Sequence, residues 1–136
     1  MAKYAAFGTL LKRGATTVAG VKSVSGPGLA LDTEDVTSHD SASGWEEVVG
    51  TILRSGEVSL DLVWDPNAAT HKNTSGGLLY DLTSRTSTTF SIVYPSTEPV
   101  TWTFTAFVTG FEPGAPVDGA LTATVKLKIT GAPTLA

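Results

Sequence analysis

The sequence predicts a mainly β protein: an antiparallel β-sandwich or open barrel with one α-helix at its side. Thr and Val, whose branched side chains favour pleated strands, number 21 and 13 among the 136 residues. The 14 Gly and 7 Pro divide the chain into short segments, several of which alternate apolar and polar residues. The length suits one domain, residues 1–136, that is large enough to bury a core.

Three strands are predicted in the first quarter of the chain. Residues 1–6 form an N-terminal arm that leads into a strand at Phe7–Lys12. The segment Thr17–Ser25 has Val at every third position, which fits either a helix stripe or a strand with a bulge at Gly20. Its β-branched content favours the strand. A Gly-Pro-Gly turn then leads to a third strand, Leu29–Thr37.

A long connection, residues 36–56, follows these strands. Most connections in compact domains have about 4–6 residues, and longer ones usually carry function or are disordered. This one is polar at its front and apolar at Trp45, Val48 and Val49. We predict one helical turn at Gly44–Val49, with Ser43 as its cap.

The rest of the chain is predicted to form strands and one helix. Strands are predicted at Glu57–Trp64, Thr88–Tyr94, Val100–Val108 and Leu121–Ile129, and a helix at about 75–85. Pro-rich or Gly-rich connections suggest that the last strands form an antiparallel meander. The alternation places one face of each strand in the core: Val58, Leu60, Leu62, Trp64, Phe90, Ile92, Tyr94, Val100, Trp102, Phe104, Ala106, Val108, Leu121, Ala123, Val125, Leu127 and Ile129.

Composition excludes several classes of protein. The absence of Cys excludes a disulfide framework and any thiolate chemistry. The formal net charge of −4 leaves no basic excess to grip nucleic acid. No segment approaches the ~18 apolar residues of a membrane span, and the N-terminus lacks the long apolar stretch of a signal peptide.

No motif predicts catalysis, a metal site or a cofactor. Ser38-His39-Asp40 has the residue types of a hydrolase triad, but three adjacent residues cannot converge as a triad must. A zinc site would need more ligands than His39 and His71 provide. The acidic run lacks the alternating ligands of a calcium loop and is better explained as a solvated face: Asp32, Glu34, Asp35 and Asp40.

Trp45 has three possible roles. Trp64 and Trp102 lie on apolar faces of alternating strands, where core packing is expected. Trp45 lies instead in the long connection. It could anchor its own loop, stack on a sugar or form the hot spot of a protein interface.

Several short motifs in order along the chain resemble a known family. They are Gly8-Thr9-Leu10-Leu11, Asp35-Val36-Thr37-Ser38 followed by Gly44-Trp45-Glu46-Glu47, Asp65-Pro66 after its strand, Pro116-Val117-Asp118-Gly119, and Val125 to Gly131. Together they resemble the tail tube (major tail) proteins of long, non-contractile-tailed phages. The pattern is similar to the tail tube proteins of gene transfer agents as well.

The resemblance implies a structural protein of the virion tail, assembled in the host cytoplasm, and no enzyme. Copies would form six-membered rings that stack into a hollow tube around a tape measure protein, with tail terminator and tail tip proteins at its ends. DNA would pass through the tube. Two alternatives stay open: the inner tube of a contractile tail or secretion apparatus, and a carbohydrate-binding β-sandwich that uses Trp45.

The long connection is the predicted assembly segment. In the family it reaches a neighbouring ring, so we expect Val36–Ser43 to be mobile in a free subunit and Gly44–Leu53 to order against neighbours. Open-ended contacts of this kind build filaments. The residues predicted to lie between subunits are Val36, Thr37, Ser38, His39, Asp40, Trp45, Glu46, Glu47, Val48 and Val49.

A second set of residues is predicted to face the lumen. Six copies at −4 each would carry −24, and a negative lumen would repel DNA phosphates. Lys126 and Lys128 are expected outside the tube or at a subunit seam. The lumen candidates are Glu57, Ser59, Asp61, Thr101, Thr103 and Thr105.

Overall fold

The computed structural model describes residues 3–136, and nine strands and one α-helix lie within them. A 3-10 turn at Ala42–Gly44 lies in the predicted long connection. The elements are β1 Leu10–Arg13, β2 Thr16–Thr17, β3 Val21–Ser25, β4 Ala30–Asp35, β5 Val48–Arg54, β6 Glu57–Val63, α1 Leu78–Thr83, β7 Thr88–Tyr94, β8 Val100–Gly114 and β9 Thr122–Leu135.

Seven strands form one curled antiparallel sheet, a half-barrel with the strand order β2-β1-β7-β8-β9-β6-β3. The two remaining strands, β4 and β5, pair only with each other. The mainly β fold with an open barrel and one flanking helix is thus confirmed.

The core lies on one face of the sheet, which we call the inner face. Val58, Leu60 and Leu62 alternate on β6 as predicted and are almost fully buried. The helix α1 packs against β8 beside this core and contributes the buried Leu78. The inner-face core comprises Leu11, Val58, Leu60, Leu62, Phe90, Ile92, Phe104, Ala106, Val108, Ala123, Val125, Leu127 and Ile129.

Trp64 and Trp102 are half-buried and pack against this core, as predicted. The Trp64 ring meets Phe111 edge to face, with ring centroids 5.8 Å apart. The Trp64 Nε1 hydrogen is buried without an acceptor. This indole therefore stabilises the fold by packing, and its polar atom costs some of that gain.

An ion pair attaches α1 to the sheet. Arg13 on β1 donates from Nε and a terminal nitrogen to the two carboxylate oxygens of Asp81, at 2.7 and 2.8 Å. Asp81 is 1% exposed, so this carboxylate depends on Arg13 for its compensation. The bond to Asp81 raises the pKa of Arg13, although partial burial opposes it.

His71 is a structural residue in the long segment between β6 and α1. Its ring is fully buried, and Nε2 lies 2.6 Å from the Ala19 carbonyl oxygen. Because that oxygen can only accept, Nε2 carries the hydrogen, and Nδ1 accepts from the Asp65 backbone at 3.2 Å. In the described part of the chain, no three His, Asp or Glu side chains converge as metal ligands.

Several predicted boundaries are wrong. Thr17–Ser25 is two strands, because Gly20 takes a left-handed φ of 71° and its carbonyl accepts from Val63. The helix is shorter than predicted: it begins at Leu78, after Gly77, and ends at Thr83.

The last two strands are longer than predicted. β8 continues past Val108 through a bulge to Gly114, so the connection between the last two strands is shorter than predicted. β9 runs through Gly131 to Leu135. Val100 and Leu121, predicted in the core, lie at strand ends and are exposed.

Candidate assembly surfaces

The second half of the predicted long connection is a strand. β5 pairs antiparallel with β4, so only residues 36–47 connect them. The predicted helical turn at Gly44–Val49 is wrong as well, because the turn is a 3-10 turn that ends at Gly44. We call residues 29–55, which comprise β4, β5 and their loop, the hairpin arm.

The strands of the hairpin arm have no extensive packing on the rest of the subunit. Among residues 3–136, neither β4 nor β5 makes a substantial contact with another strand or helix, and every β5 residue is exposed. A hydrogen bond from Ser55 to the Ile129 carbonyl joins the arm to the body at its root. An isolated two-stranded hairpin is marginally stable in water. The arm therefore presents surface that a partner can cover.

Two glycines set the root of the arm. Gly56 has a φ of 71°, and a Cβ there would lie 2.3 Å from the Gly28 carbonyl oxygen. The chain thus enters the arm after Gly28 and leaves it before Gly56, where the two backbone segments cross. Only Gly at position 56 allows this close approach. The Gly56 carbonyl accepts from Ile129 at 3.2 Å, which fixes the crossing to β9.

The arm has one mostly apolar face, which also carries Asp35, and an opposite face with charged residues and Val49. Leu31 pairs with Leu53, and Asp35 pairs with Val48. Gly50 lies between these two pairs and leaves room for the Leu31 side chain. A Cβ at Gly50 would be 3.2 Å from that side chain. Leu31, Val48 and Leu53 are 53%, 51% and 80% exposed. The opposite face carries an ion pair between Arg54 and Asp32 at 2.7 Å.

The loop of the arm is held by its own hydrogen bonds. The Val36 amide donates to the Glu47 carbonyl at 2.9 Å, and the Glu47 amide donates to Thr37 Oγ1 at 2.8 Å. The Thr37 amide donates to Asp35 at 2.8 Å. Hydrogen bonds from Thr37 lower the pKa of Asp35.

The Ser-His-Asp sequence in this loop does not form a triad. Ser38 Oγ donates directly to the Asp40 carboxylate, so His39 does not lie between them. This bond lowers the pKa of Asp40. The interaction stabilises the loop conformation and gives Ser38 no base.

The ten predicted assembly residues all lie on the arm and are exposed. Trp45 is 76% exposed and therefore does not anchor its own loop. Val48 and Val49 are adjacent strand residues that point to opposite faces. Ile52 and Leu53, in the segment expected to order against neighbours, are 58% and 80% exposed on the same arm. Sequence reasoning missed Leu31, which is 53% exposed.

The negative charge of the protein is concentrated in the arm. Residues 29–55 hold six carboxylates and one Arg, a formal charge of −5. The remaining residues hold seven carboxylates and eight Lys or Arg, a formal charge of +1, which gives the total of −4. The body of the subunit is therefore not acidic.

The six lumen candidates lie on one face of the main sheet, which we call the outer face. Glu57, Ser59 and Asp61 alternate with the buried residues of β6, and Thr101, Thr103 and Thr105 with those of β8. The register connects them through β9: Ser59 opposes Lys126, and Thr105 opposes Thr130.

Lys126 and Lys128, which were expected outside the tube or at a subunit seam, lie on the same face of the sheet as these candidates. Lys126 opposes Ser59 and Lys128 opposes Glu57 in the same ladder, so all four side chains share the outer face. On β1, β6, β8 and β9 the charged residues of this face balance: Glu57, Asp61, Glu112, Lys12, Lys126 and Lys128.

Together these features define a class of protein: a small β subunit with an open curled sheet and a hairpin arm that its own fold leaves exposed. The family described as lambda phage tail tube protein, TTP, matches residues 4–136. The chain belongs to this family and is a tail tube protein of the virion. No helix among the described residues is long and apolar enough to cross a membrane.

Solved structures have the same fold. A chain of the virion of a native gene transfer agent particle aligns with a TM-score of 0.77 and 18% identity, covering 98% of this chain and 99% of that one. A chain from the tail of an empty gene transfer agent particle, solved with C6 symmetry, has a TM-score of 0.73 and 20% identity, covering 93% and 94%.

The fold is also similar to that of a chain in the sheath/tube terminator of an extracellular contractile injection system. That chain has a TM-score of 0.74 and 15% identity, covering 100% of this chain and 98% of that one. Among curated proteins, no sequence matches this chain. The comparisons give no support to a carbohydrate-binding module.

Proposed function

We propose that this tail tube protein closes into six-membered rings that stack into a hollow tube. The observation that carries the proposal is the hairpin arm, which is exposed, apolar on one face and unpacked in its own subunit. The C6 symmetry of the gene transfer agent tail supports six copies per ring.

The arm makes the contacts between subunits. It is a different surface from the main sheet, so an arm-to-body contact is heterologous and repeats from copy to copy. Trp45 is its principal anchor, because an exposed Trp that becomes buried at an interface is a typical hot spot. The residues Val36–Asp40 and Glu46–Val49 surround Trp45. They become fully ordered when they contact the neighbouring subunit.

The outer face of the main sheet lines the channel. Its strand residues carry as many carboxylates as lysines and are rich in Thr and Ser, so the wall offers DNA no net attraction. This proposal replaces the negative lumen, because the arm holds the net negative charge (−5) and the rest of the subunit carries a formal charge of +1. Glu57, Ser59, Asp61, Thr101, Thr103 and Thr105 face the channel together with Lys126 and Lys128.

The role is structural rather than catalytic, and it needs no cofactor. The tube encloses a tape measure protein during assembly in the host cytoplasm, meets terminator and tip proteins at its ends, and later conducts DNA. One structure of similar fold comes from a sheath/tube terminator, and another comes from a tube-terminating cap.

The second candidate is the inner tube of a contractile apparatus. The similarity of the fold to a contractile injection system chain, with a TM-score of 0.74, supports this second candidate. Co-expression with the sheath protein from a contractile system distinguishes the two. Co-purification with a sheath supports the contractile tube, and its failure supports the non-contractile one.

Native mass spectrometry of assembled protein tests the ring. We expect a closed species with six times the 14.1 kDa of one chain. A ring of another stoichiometry would contradict the hexamer but leave the tube in place. Only dimers and monomers at every concentration would contradict both.

A further inference from the structure

A groove on the subunit body has features that match the arm. It has a volume of about 850 Å³ and lies where the half-barrel is open, between β3, the end of β7 and the N-terminal segment. The residues that shape it are Tyr4, Phe7, Val21, Val24, Tyr94 and Val100. Phe7 is 96% exposed, so the groove has an apolar wall open to solvent. We call it the seam groove.

An unpaired strand edge runs along the seam groove. β3 is the last strand in the sheet and pairs only with β6 among the described strands. Such an edge offers backbone donors and acceptors to another extended segment. The groove thus combines an apolar wall with a template for strand addition.

The charges of the groove and the arm are complementary. Lys22 lines the seam groove, and none of its described lining residues is acidic. The distal part of the arm exposes Asp35, Asp40, Glu46 and Glu47, and no Lys or Arg among the described residues forms a salt bridge with them. The arm carries a formal charge of −5 and the rest of the subunit carries a formal charge of +1.

The occupant cannot be the arm of the same copy in this conformation. That arm leaves the body at the Gly28–Gly56 crossing and does not pack against β3 or the N-terminal segment. We infer that the seam groove receives the hairpin arm of a second copy, with Leu31, Val48 and Leu53 toward the groove and the distal carboxylates near Lys22. The inference rests on the proposed tube and identifies which surface receives the arm.

Cysteine cross-linking tests this contact with no background, because the chain contains no Cys. The double variant Leu53→Cys with Phe7→Cys is assembled and treated with a short bismaleimide, which tolerates a wider gap than a disulfide. We expect a ladder of covalent oligomers on a denaturing gel. The matched control, Leu53→Cys with Val117→Cys, places the second thiol on the fully exposed turn after β8 and should give no ladder.

The outcomes separate the contact from the tube itself. Tubes visible by electron microscopy without a ladder would overturn the groove contact and leave the tube function standing. A ladder as strong in the Val117→Cys control would also overturn it. A wild-type protein that never assembles would contradict the proposed function, and the groove contact would fall with it.

A charge swap provides an independent readout. Lys22→Glu should raise the concentration needed for assembly about 2–5-fold, the range of one exposed ion pair. Adding Glu47→Lys to Lys22→Glu should restore the wild-type value. The contact is contradicted if Lys22→Glu assembles like wild type, or if the second substitution worsens the defect.

Discussion

Ser59 and Lys126 lie directly opposite each other on the antiparallel strands β6 and β9, and both side chains point away from the core. The same ladder places Glu57 opposite Lys128. Acidic and basic residues therefore lie beside each other on the outer face instead of occupying separate surfaces. A channel formed by this face would be polar and balanced in charge.

The first prediction concerns this channel. Thr103→Cys should react with a small maleimide in both free subunits and tubes, because small reagents enter from the tube ends. A maleimide on a long polyethylene glycol chain should label only the free subunit. Thiol labelling measured by gel shift checks this. Equal labelling of tubes by the long reagent would show that Thr103 lies on the outside.

Trp45 provides a test of the arm. Trp45→Ala should leave the thermal stability of the free subunit unchanged, because the side chain is 76% exposed. Assembly should weaken by about 2 kcal/mol or more per contact, as is usual for a buried interface Trp. Calorimetry and sedimentation measure the two effects. If Trp45→Ala lowers the melting temperature of the monomer instead, Trp45 supports its own fold and not an interface.

The buried ion pair makes a prediction about stability alone. Asp81→Ala removes the partner of Arg13 and should lower the free energy of unfolding by about 3 kcal/mol, the low end for a buried pair because Arg13 is partly exposed. Chemical denaturation measures the change. Asp118→Ala, in the exposed turn before β9, is the control and should be neutral. A neutral Asp81→Ala would show that the pair does not hold α1 on the sheet.

The loop of the arm should respond to acid. Hydrogen bonds from Thr37 and Ser38 lower the pKa values of Asp35 and Asp40 in the folded state. A lowered folded pKa means that the stabilisation is present above the ordinary Asp value of about 3.9 and is lost as the pH falls through the folded value. NMR titration of the two carboxyl groups should give pKa values below the ordinary one. Ser38→Ala should return Asp40 toward it; an unchanged Asp40 pKa would exclude this cause.

The core strands and β4 could be predicted from the sequence, and the second strand of the arm, β5, could not. Val58, Leu60 and Leu62 alternate because one face of β6 packs on the core and the other does not. β5 has Val48 and Val49 followed by Gly50, then Ile52 and Leu53, without alternation. A strand that packs on no core of its own, and that contains a bulge, has no reason to alternate, so the pattern was interpreted as a loop.

The ends of the long strands were missed for a different reason. Gly131 and Pro133 are usual stop signals, yet β9 continues because Thr134 pairs with Thr103 on β8. Pairing with a distant strand outweighs the local signal. The same long-range register decides which face carries Lys126 and Lys128, and alternation within one strand cannot reveal it.

The most direct test of the central claim is negative-stain electron microscopy of two proteins over a wide concentration range. One is the full chain, and the other lacks the arm, with Gly28 joined to Gly56 by a short linker across their crossing. The account predicts hollow tubes of uniform width for the full chain, and a folded subunit without tubes for the armless variant. Tubes from the armless protein would contradict the role of the arm, and a strictly monomeric full chain would contradict the tube.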